Sequence, residues 1–568
     1  MSPAGYSAYM QGIGVDFKKI YIFLVIFFVT LYPICHAYIF FNNIMSKLGQ
    51  KSAVAVAQES SFDRKRHIFG AIAGPIVALL VYLMPIAGLA DNPAAHKLLA
   101  IVTFVAFWWI CEPVPIPVTS LIGPTLCVIL GVVNATDAFK AFANPMIFLF
   151  MGGFLIAKGM MVNGLDKRIA YGIMSMKWVG DSPRRIFLAI GLACMLCSGW
   201  ISNTATAAMM FPIALGLLEA IREMMAANGR QIDLRSYKFA TGLMLMTAYA
   251  CSIGGVLTPI GTPPNIIMIG FIRELAPDAP QITFFNWMIW GFLAMVLYFV
   301  VTYFILLKMF PPDVKHIDGA QEFIQDHKKA LGKWTRAQKN TLIAFIVAVV
   351  LWVTPGILSA LQNINPDAVN PEFVKNYNAH FPEAIAAMVG GLLLFLMPVN
   401  IKKGEMTLSW KDGVKGIDWG TLLLFGGGLA IGGMVFSTGL SQWIGESLTS
   451  ALGGHPSEYL FLTLFAVTSL LLSELTSNTA VANLMGPIAI ATAVSLGFSP
   501  VPVCVCMALC TSLAFMLPVS TPPNAITYSS GYIPITKMIK AGIVLDLVGV
   551  FAITVPLVYF VVKAIMGV

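Results

Sequence analysis

A chain of 568 residues that is 58% hydrophobic and 11% charged, with mean hydropathy +0.81, has too little charge to cover a soluble surface of its size. Its formal charge of +8 does not point to nucleic acid or an acidic partner, because the basic residues stand in loops between apolar runs. What remains is a protein of the bilayer.

The apolar runs 20–42, 69–90, 285–310, 338–360 and 541–565 each reach the roughly 20 residues that cross hydrocarbon. Continuous apolarity predicts helices, whose backbone groups are satisfied within the segment, and not barrel strands, which alternate. Residues 1–68 read as an N-terminal extension with one extra apolar helix, Ile20 to Phe41, preceded by Lys18 and Lys19. That run exceeds a signal-peptide core and no small-residue cleavage site follows, which leaves a spanning anchor or an interfacial helix. A first half, 69–310, then leads through a cytoplasmic linker, 311–337, to a second half, 338–568.

Loops bearing Arg64, Lys65 and Arg66, then Lys167, Arg168, Arg184 and Arg185, Arg222 to Lys238, Lys308 to Lys339, Lys402 to Lys415, and Lys537 with Lys540 are expected in the cytoplasm. Intervening loops with Asp137, Asp278, Asp367, Glu372, Glu446 and Glu458 are expected outside. The nine cysteines (35, 111, 127, 194, 197, 251, 504, 506 and 510) lie in or beside apolar runs and read as reduced, packed thiols. The pair Cys194 and Cys197 has no second pair or histidines to complete a zinc site.

The first half repeats in the second. LFMGGFLIAKGMMVNGL at 149–165 aligns with LFGGGLAIGGMVFSTGL at 424–440, and at the same offset of 275 SNTATAAMMFPIA (202–214) meets SNTAVANLMGPIA (477–489), with nine of thirteen columns identical. TPPN at 262–265 recurs at 521–524. The loop before the first SNT is basic and the loop before the second acidic, so the two copies enter from opposite faces. Inverted repeats of this kind characterise secondary transporters.

Each SNT joins apolar arms through a few polar residues and no charged loop, which predicts two re-entrant hairpins, 184–222 and 457–497, with tips inside the protein. Such a triplet in single copy could simply cap a helix; its inverted duplication beside a second duplicated motif favours a functional reading. Thr-Pro-Pro starts a helix and cannot continue one, so each TPPN predicts a broken span, 239–275 and 500–531. Gly254, Gly255 and Gly261 loosen the first break, and Ser520 stands at the counterpart of Gly261. Four helix N-termini suit an anion, and free carbonyls with Ser, Asn and Thr oxygens suit a hard cation such as sodium. No lysine or arginine lies in either motif, so a bound dianion calls for co-bound cations. Lys158 and Glu474 are ionisable residues inside repeat-matched apolar segments; their counterparts are Gly433 and Gly199, and structural pairing or gating are equal readings for both.

The paired SNT motifs, the paired (G/S)TPPN breaks and WWICEPVPIPVTSLIGP at 108–124 resemble the divalent anion/sodium symporter family over residues 69–568. The resemblance implies an all-α polytopic fold of eleven core helices with two re-entrant hairpins and two broken helices. It also implies a homodimer working as an inverted-repeat elevator in the cell (inner or plasma) membrane. By motif matching, one sodium ion would meet Ser198, Ser202, Asn203 and the Gly261 backbone, and the other Ser473, Thr476, Asn478 and Ser520. Family members often carry alanine at the last site's Thr476 and Ser520 positions, where backbone carbonyls ligate. Substrate carboxylates would meet Asn203, Thr204, Thr262 and Pro263 from one half, and Asn478, Thr479, Thr521 and Pro522 from the other.

The expected activity is sodium-coupled symport of C4-dicarboxylates such as succinate, malate or fumarate, with no cofactor beyond the coupling ions and no nucleic-acid partner. Alternatives are sodium-independent dicarboxylate exchange, or carriage of citrate or sulfate; no soluble regulatory domain is inserted, which weakens the sulfate reading. An intramembrane hydrolase is disfavoured because Ser198, Ser202, Ser473 and Ser477 have no histidine or lysine near them in their segments. A passive anion channel has less need of the repeat.

Overall fold

A computed structural model describes residues 61–568 except 228, 230, 318, 366–368 and 455. The apolar run 20–42 lies outside the described residues. Helix α1 (Ser61–Leu83) takes Arg64 to Arg66 into its first turns, so the expected boundary at 68 falls inside a helix. It ends before the expected 90 because Pro85 disfavours helical geometry at Met84. Helix α2 (Pro93–Cys111) is capped by Asn92, which accepts from the Ala95 amide at 3.1 Å. After α3 (Ile116–Ile129), α4 (Pro145–Val162) and the short α5 (Leu165–Met174) come the arms of a first hairpin, α6 (Pro183–Ser198) and α7 (Asn203–Ala227). A first interrupted helix follows, α8 (Lys238–Gly255) with α9 (Pro263–Leu275), and then α10 (Phe284–Met309).

The expected linker contains a helix of its own, α11 (Ala320–Ala330), seated by buried Ala320 and Ile324. The second half runs α12 (Arg336–Ile364), α13 (Pro371–His380), α14 (Glu383–Leu396), α15 (Trp410–Gly416), α16 (Trp419–Ser437) and α17 (Leu440–Ala451). The second hairpin is α18 (Glu458–Leu475) with α19 (Asn478–Ser495), and the second interrupted helix is α20 (Pro500–Thr511) with α21 (Pro522–Tyr528). Helix α22 (Ile535–Val548) continues through π-helical turns to Met566. Among the described residues nine helices are long and apolar enough to cross a membrane, and α13 with α14, bent by 57°, would make a tenth. The only strands there are an antiparallel pair, Pro398–Asn400 with Glu405–Met406. The protein is an all-helical, multi-pass membrane protein.

Polar contacts join segments that the charge pattern places on one face. Lys563 pairs with Glu458, Arg273 meets Glu383 at 2.5 Å, and Asn144 reaches Glu274 at 3.3 Å, all on the expected outer side. On the expected cytoplasmic side Tyr532 donates to Glu219 at 3.2 Å. The two halves interlock: α9 packs on α19 and α20, while α21 packs on α7 and α8. All eight described cysteines are buried free thiols.

Helices α4 and α14 approach closely at Gly152, where a Cβ would meet the Ala387 backbone. Gly152→Ala is therefore expected to destabilise the detergent-solubilised protein by roughly 1–3 kcal/mol through overpacking. Gly172→Ala, whose Cβ would enter open space in α5, should leave stability equal or raise it by up to about 1 kcal/mol. Thermal unfolding of the two variants side by side checks the pair.

Candidate substrate and cation site

Each hairpin tip carries the same bond. Ser198 Oγ donates to Asn203 Oδ1 at 2.6 Å, and Ser473 Oγ lies 2.6 Å from Asn478 Oδ1. The hydroxyl of Ser473 also lies 2.7 Å from the Thr511 carbonyl, which ties this tip to the end of α20. Ser198 and Ser473 are fully buried, Asn203, Asn478 and Thr479 are half-buried, and Ser202 and Thr204 are exposed. Ser202 caps α7, accepting from the Ala205 amide at 3.3 Å.

The interrupted helices are closed by their motif asparagines. Asn265 Nδ2 donates to the carbonyls of Gly255 at 3.0 Å and Thr258 at 2.8 Å. Asn524 Nδ2 donates to the repeat-related carbonyls of Ala514 at 3.2 Å and Leu517 at 3.0 Å. Carbonyls freed by a broken helix at membrane depth need such a partner, since no lipid group can donate. Both asparagines keep Oδ1 buried without a protein donor. Thr262 and Thr521 precede α9 and α21 in the same extended conformation (φ −146° and −140°), with a proline at the first helical position in each case. Both threonines are buried, Pro263 is half-buried and Pro522 exposed. Gly255 faces Asn203 so closely that a Cβ would overlap the amide, and a Cβ on Gly261 would meet the Gly255 carbonyl at 2.5 Å. First tip and first break are thus in contact.

The halves differ in one respect. Glu474, whose counterpart is Gly199, accepts from the amides of Met516 at 2.9 Å and Leu517 at 3.2 Å and from the Ser520 hydroxyl. It closes the second break, where the first uses a bond from Thr258 Oγ1 to the Gly199 carbonyl at 2.5 Å. Of the two readings for Glu474, structural pairing is what the contacts show. Lys158 stands apart from it, its stem against Gly416 of α15. Asp546 of α22 was not singled out from sequence; it is buried with its carboxyl beside that of Glu474 and the Phe515 backbone. Its signal was a lone acid inside the apolar run 541–565. Thr476 is buried, and its hydroxyl turns away from the tip toward the Trp109 carbonyl at 3.1 Å and Glu112 at 3.3 Å. At that position only the backbone carbonyl is left to face an ion.

Helices α7, α9, α19 and α21 each present an N-terminus from these motifs, and each such end carries about half a positive charge. At seven residues α21 contributes least. The oxygen set of hydroxyls, amide oxygens and carbonyls is what a hard monovalent cation takes when no thiol or imidazole is present. Two hairpins and two interrupted helices enclosing neutral donors and acceptors define a polytopic membrane transporter.

Residues 65–565 match the sodium:sulfate symporter transmembrane region family, and the chain belongs to that family. It is 33% identical over 533 residues to the sodium-dependent dicarboxylate transporter SdcS of Staphylococcus saprophyticus, covering 93% of this chain and 98% of that one. To SdcS of Staphylococcus aureus strain NCTC 8325 it is 32% identical over 534 residues, with the same coverage. In fold it is similar to the Alcanivorax borkumensis YdaH transporter (TM-score 0.52, 14% identity, 88% of this chain and 98% of that one). Neisseria gonorrhoeae MtrF gives a TM-score of 0.50 at 14% identity, over 92% of this chain and 98% of that one.

Because each motif asparagine serves two buried carbonyls, Asn265→Leu and Asn524→Leu should each destabilise the protein by about 2–6 kcal/mol, at about 1–3 kcal/mol for each acceptor left unpaired. Loss of thermal stability by both in detergent would bear this out; a neutral result at either position would show that the break does not depend on its asparagine.

Proposed function

We propose that this protein is a secondary active transporter that couples sodium entry to symport of C4-dicarboxylates such as succinate, malate or fumarate. The observation that carries the reading is the duplicated site without a cationic side chain: two Ser–Asn tips and two asparagine-closed breaks, with no lysine or arginine in any of the four motifs. A dianion held there by helix ends and hydroxyls alone would be desolvated without a full opposite charge. Two bound sodium ions would neutralise it, which makes coupling a consequence of electrostatics. The relatives named as sodium-dependent dicarboxylate transporters support the same choice of ion and substrate over sulfate.

In this reading the first sodium ion meets Ser198, Ser202, Asn203 and the Gly261 carbonyl. The second meets Ser473, Asn478, the Thr476 carbonyl and Ser520. The substrate's carboxylates meet Asn203, Thr204, Thr262 and Pro263 on one side and Asn478, Thr479, Thr521 and Pro522 on the other. The interlocked body of α6–α10 and α18–α22 would carry the site as an elevator against α1–α4 and α12–α16, in a homodimer that holds the second group still.

Purified protein in proteoliposomes should accumulate radiolabelled succinate when an inward sodium gradient is imposed, and should not when potassium replaces sodium. Asn203→Ala and Asn478→Ala should each lower uptake at least tenfold, equivalent to about 1.4 kcal/mol or more. Competition by unlabelled citrate and sulfate, and counterflow in sodium-free buffer, separate the exchanger and other-anion readings. Full uptake without sodium would refute coupling.

A further inference from the structure

Glu112 is the one non-glycine residue at positive φ among the described residues, at φ 51° and ψ 45°. It ends α2, its amide donating to the Trp108 carbonyl at 2.9 Å, and it precedes Pro113. A left-handed backbone under a bulky side chain is costly, and a following proline restricts the residue further. Glycine or asparagine would take the same bend at less cost. What glutamate adds at this position is a carboxylate, and both of its described partners belong to the grip on one distant segment.

That segment is the tip of the second hairpin. Thr476 Oγ1 donates to Glu112 Oε1 at 3.3 Å and lies 3.1 Å from the Trp109 carbonyl. Arg66, 3.7 Å from the same carboxylate oxygen, donates to the Leu475 carbonyl at 3.0 Å. Its guanidinium therefore sits on the negative end of the α18 dipole and satisfies a carbonyl that the helix leaves free. Arg66 lies at the start of α1 and Glu112 at the end of α2, so both mark the cytoplasmic end of that pair. Helix α18, whose Glu458 base is expected outside, has 18 residues and is about 27 Å long, close to the roughly 30 Å of a hydrocarbon core. The other tip reaches less far across. Trp200 packs edge-on against Phe345 with centroids 5.0 Å apart, about 14 Å into α12 by helical rise. The second tip is therefore held at the end of the α1–α2 pair that the charge pattern places in the cytoplasm.

We propose that Arg66 and Glu112 form a releasable clasp, in which Glu112 is a positioning residue that holds the second tip, through Thr476 and Leu475, in the cytoplasm-facing state. The clasp rests on the transport reading above and adds to it a contact that must break in every cycle. Strain at Glu112 is tolerated because the grip offsets it when the tip is docked. Once the tip leaves, Arg66 and Glu112 still face each other.

The test bridges the two sides. With Glu112→Cys and Thr476→Cys in the full chain, a short, reducible bifunctional thiosulfonate reagent should link the pair and stop sodium-driven succinate uptake, and reductant should restore it. A bridge that leaves uptake intact, or failure to bridge, overturns the clasp. Adding Arg66→Gln to the same cysteine pair should slow bridging several-fold whatever is transported, so the clasp is tested even if the choice of substrate or ion is wrong; equal rates overturn it. Glu112→Asn keeps the bend with too short a side chain to reach Thr476. It should lower the external half-saturation for sodium several-fold, because more protein then stands outward-facing. A purely structural Glu112 would give a raised half-saturation and a reduced maximal rate instead.

Discussion

A helix that stops halfway through a membrane frees carbonyls where there is no water to receive them, and this constraint shapes the rest of the molecule. Asn265 and Asn524 answer it in the same way, one amide nitrogen on two carbonyls across each gap. With the break so closed, the prolines that follow can start new helices, and their N-termini become available for a ligand. Hairpin tips face the same problem and use a serine hydroxyl against the first asparagine of the next arm. Within each half, polar backbone and short polar side chains thus adjoin where tip and break meet, without a lysine or arginine contributed by the motifs.

The two halves are alike in backbone and unlike in charge. Where the first tip has Gly199, bonded by Thr258, the second has Glu474, which reaches over to hold Met516, Leu517 and Ser520. The second break therefore carries a carboxylate and the first does not. Contacts from α1 and α2 follow the same asymmetry, since Arg66, Trp109 and Glu112 all reach the second tip.

Much of this was legible in the residues. Helix breaks followed from where proline, SNT and apolar length conflict with a continuous helix, and the duplicated motifs named the residues that the candidate site is built from. Helix ends were less legible. Helix α1 begins eight residues before the expected 69 because charged Arg64 to Arg66 belong to its first turns, and α11 was hidden inside a polar linker because only Ala320 and Ile324 seat it. Long-range partners could not be read at all. Nothing in local spacing joins Glu112 to Thr476 across 364 positions, or Asp546 to Glu474, and of these acids only Glu474 was picked out as a charge in an apolar segment. The motifs give residue types; that the hydroxyl of Thr476 faces a neighbouring helix is settled by packing.

The central claim is that neutral helix ends hold a dianion only when cations share the site. The most direct measurement is calorimetric binding of succinate to the purified protein across a series of sodium concentrations at constant ionic strength. Affinity should climb steadily with sodium and be lost when it is replaced by choline, and by linkage sodium should bind more tightly when succinate is present. Succinate binding of equal strength with and without sodium would contradict the account.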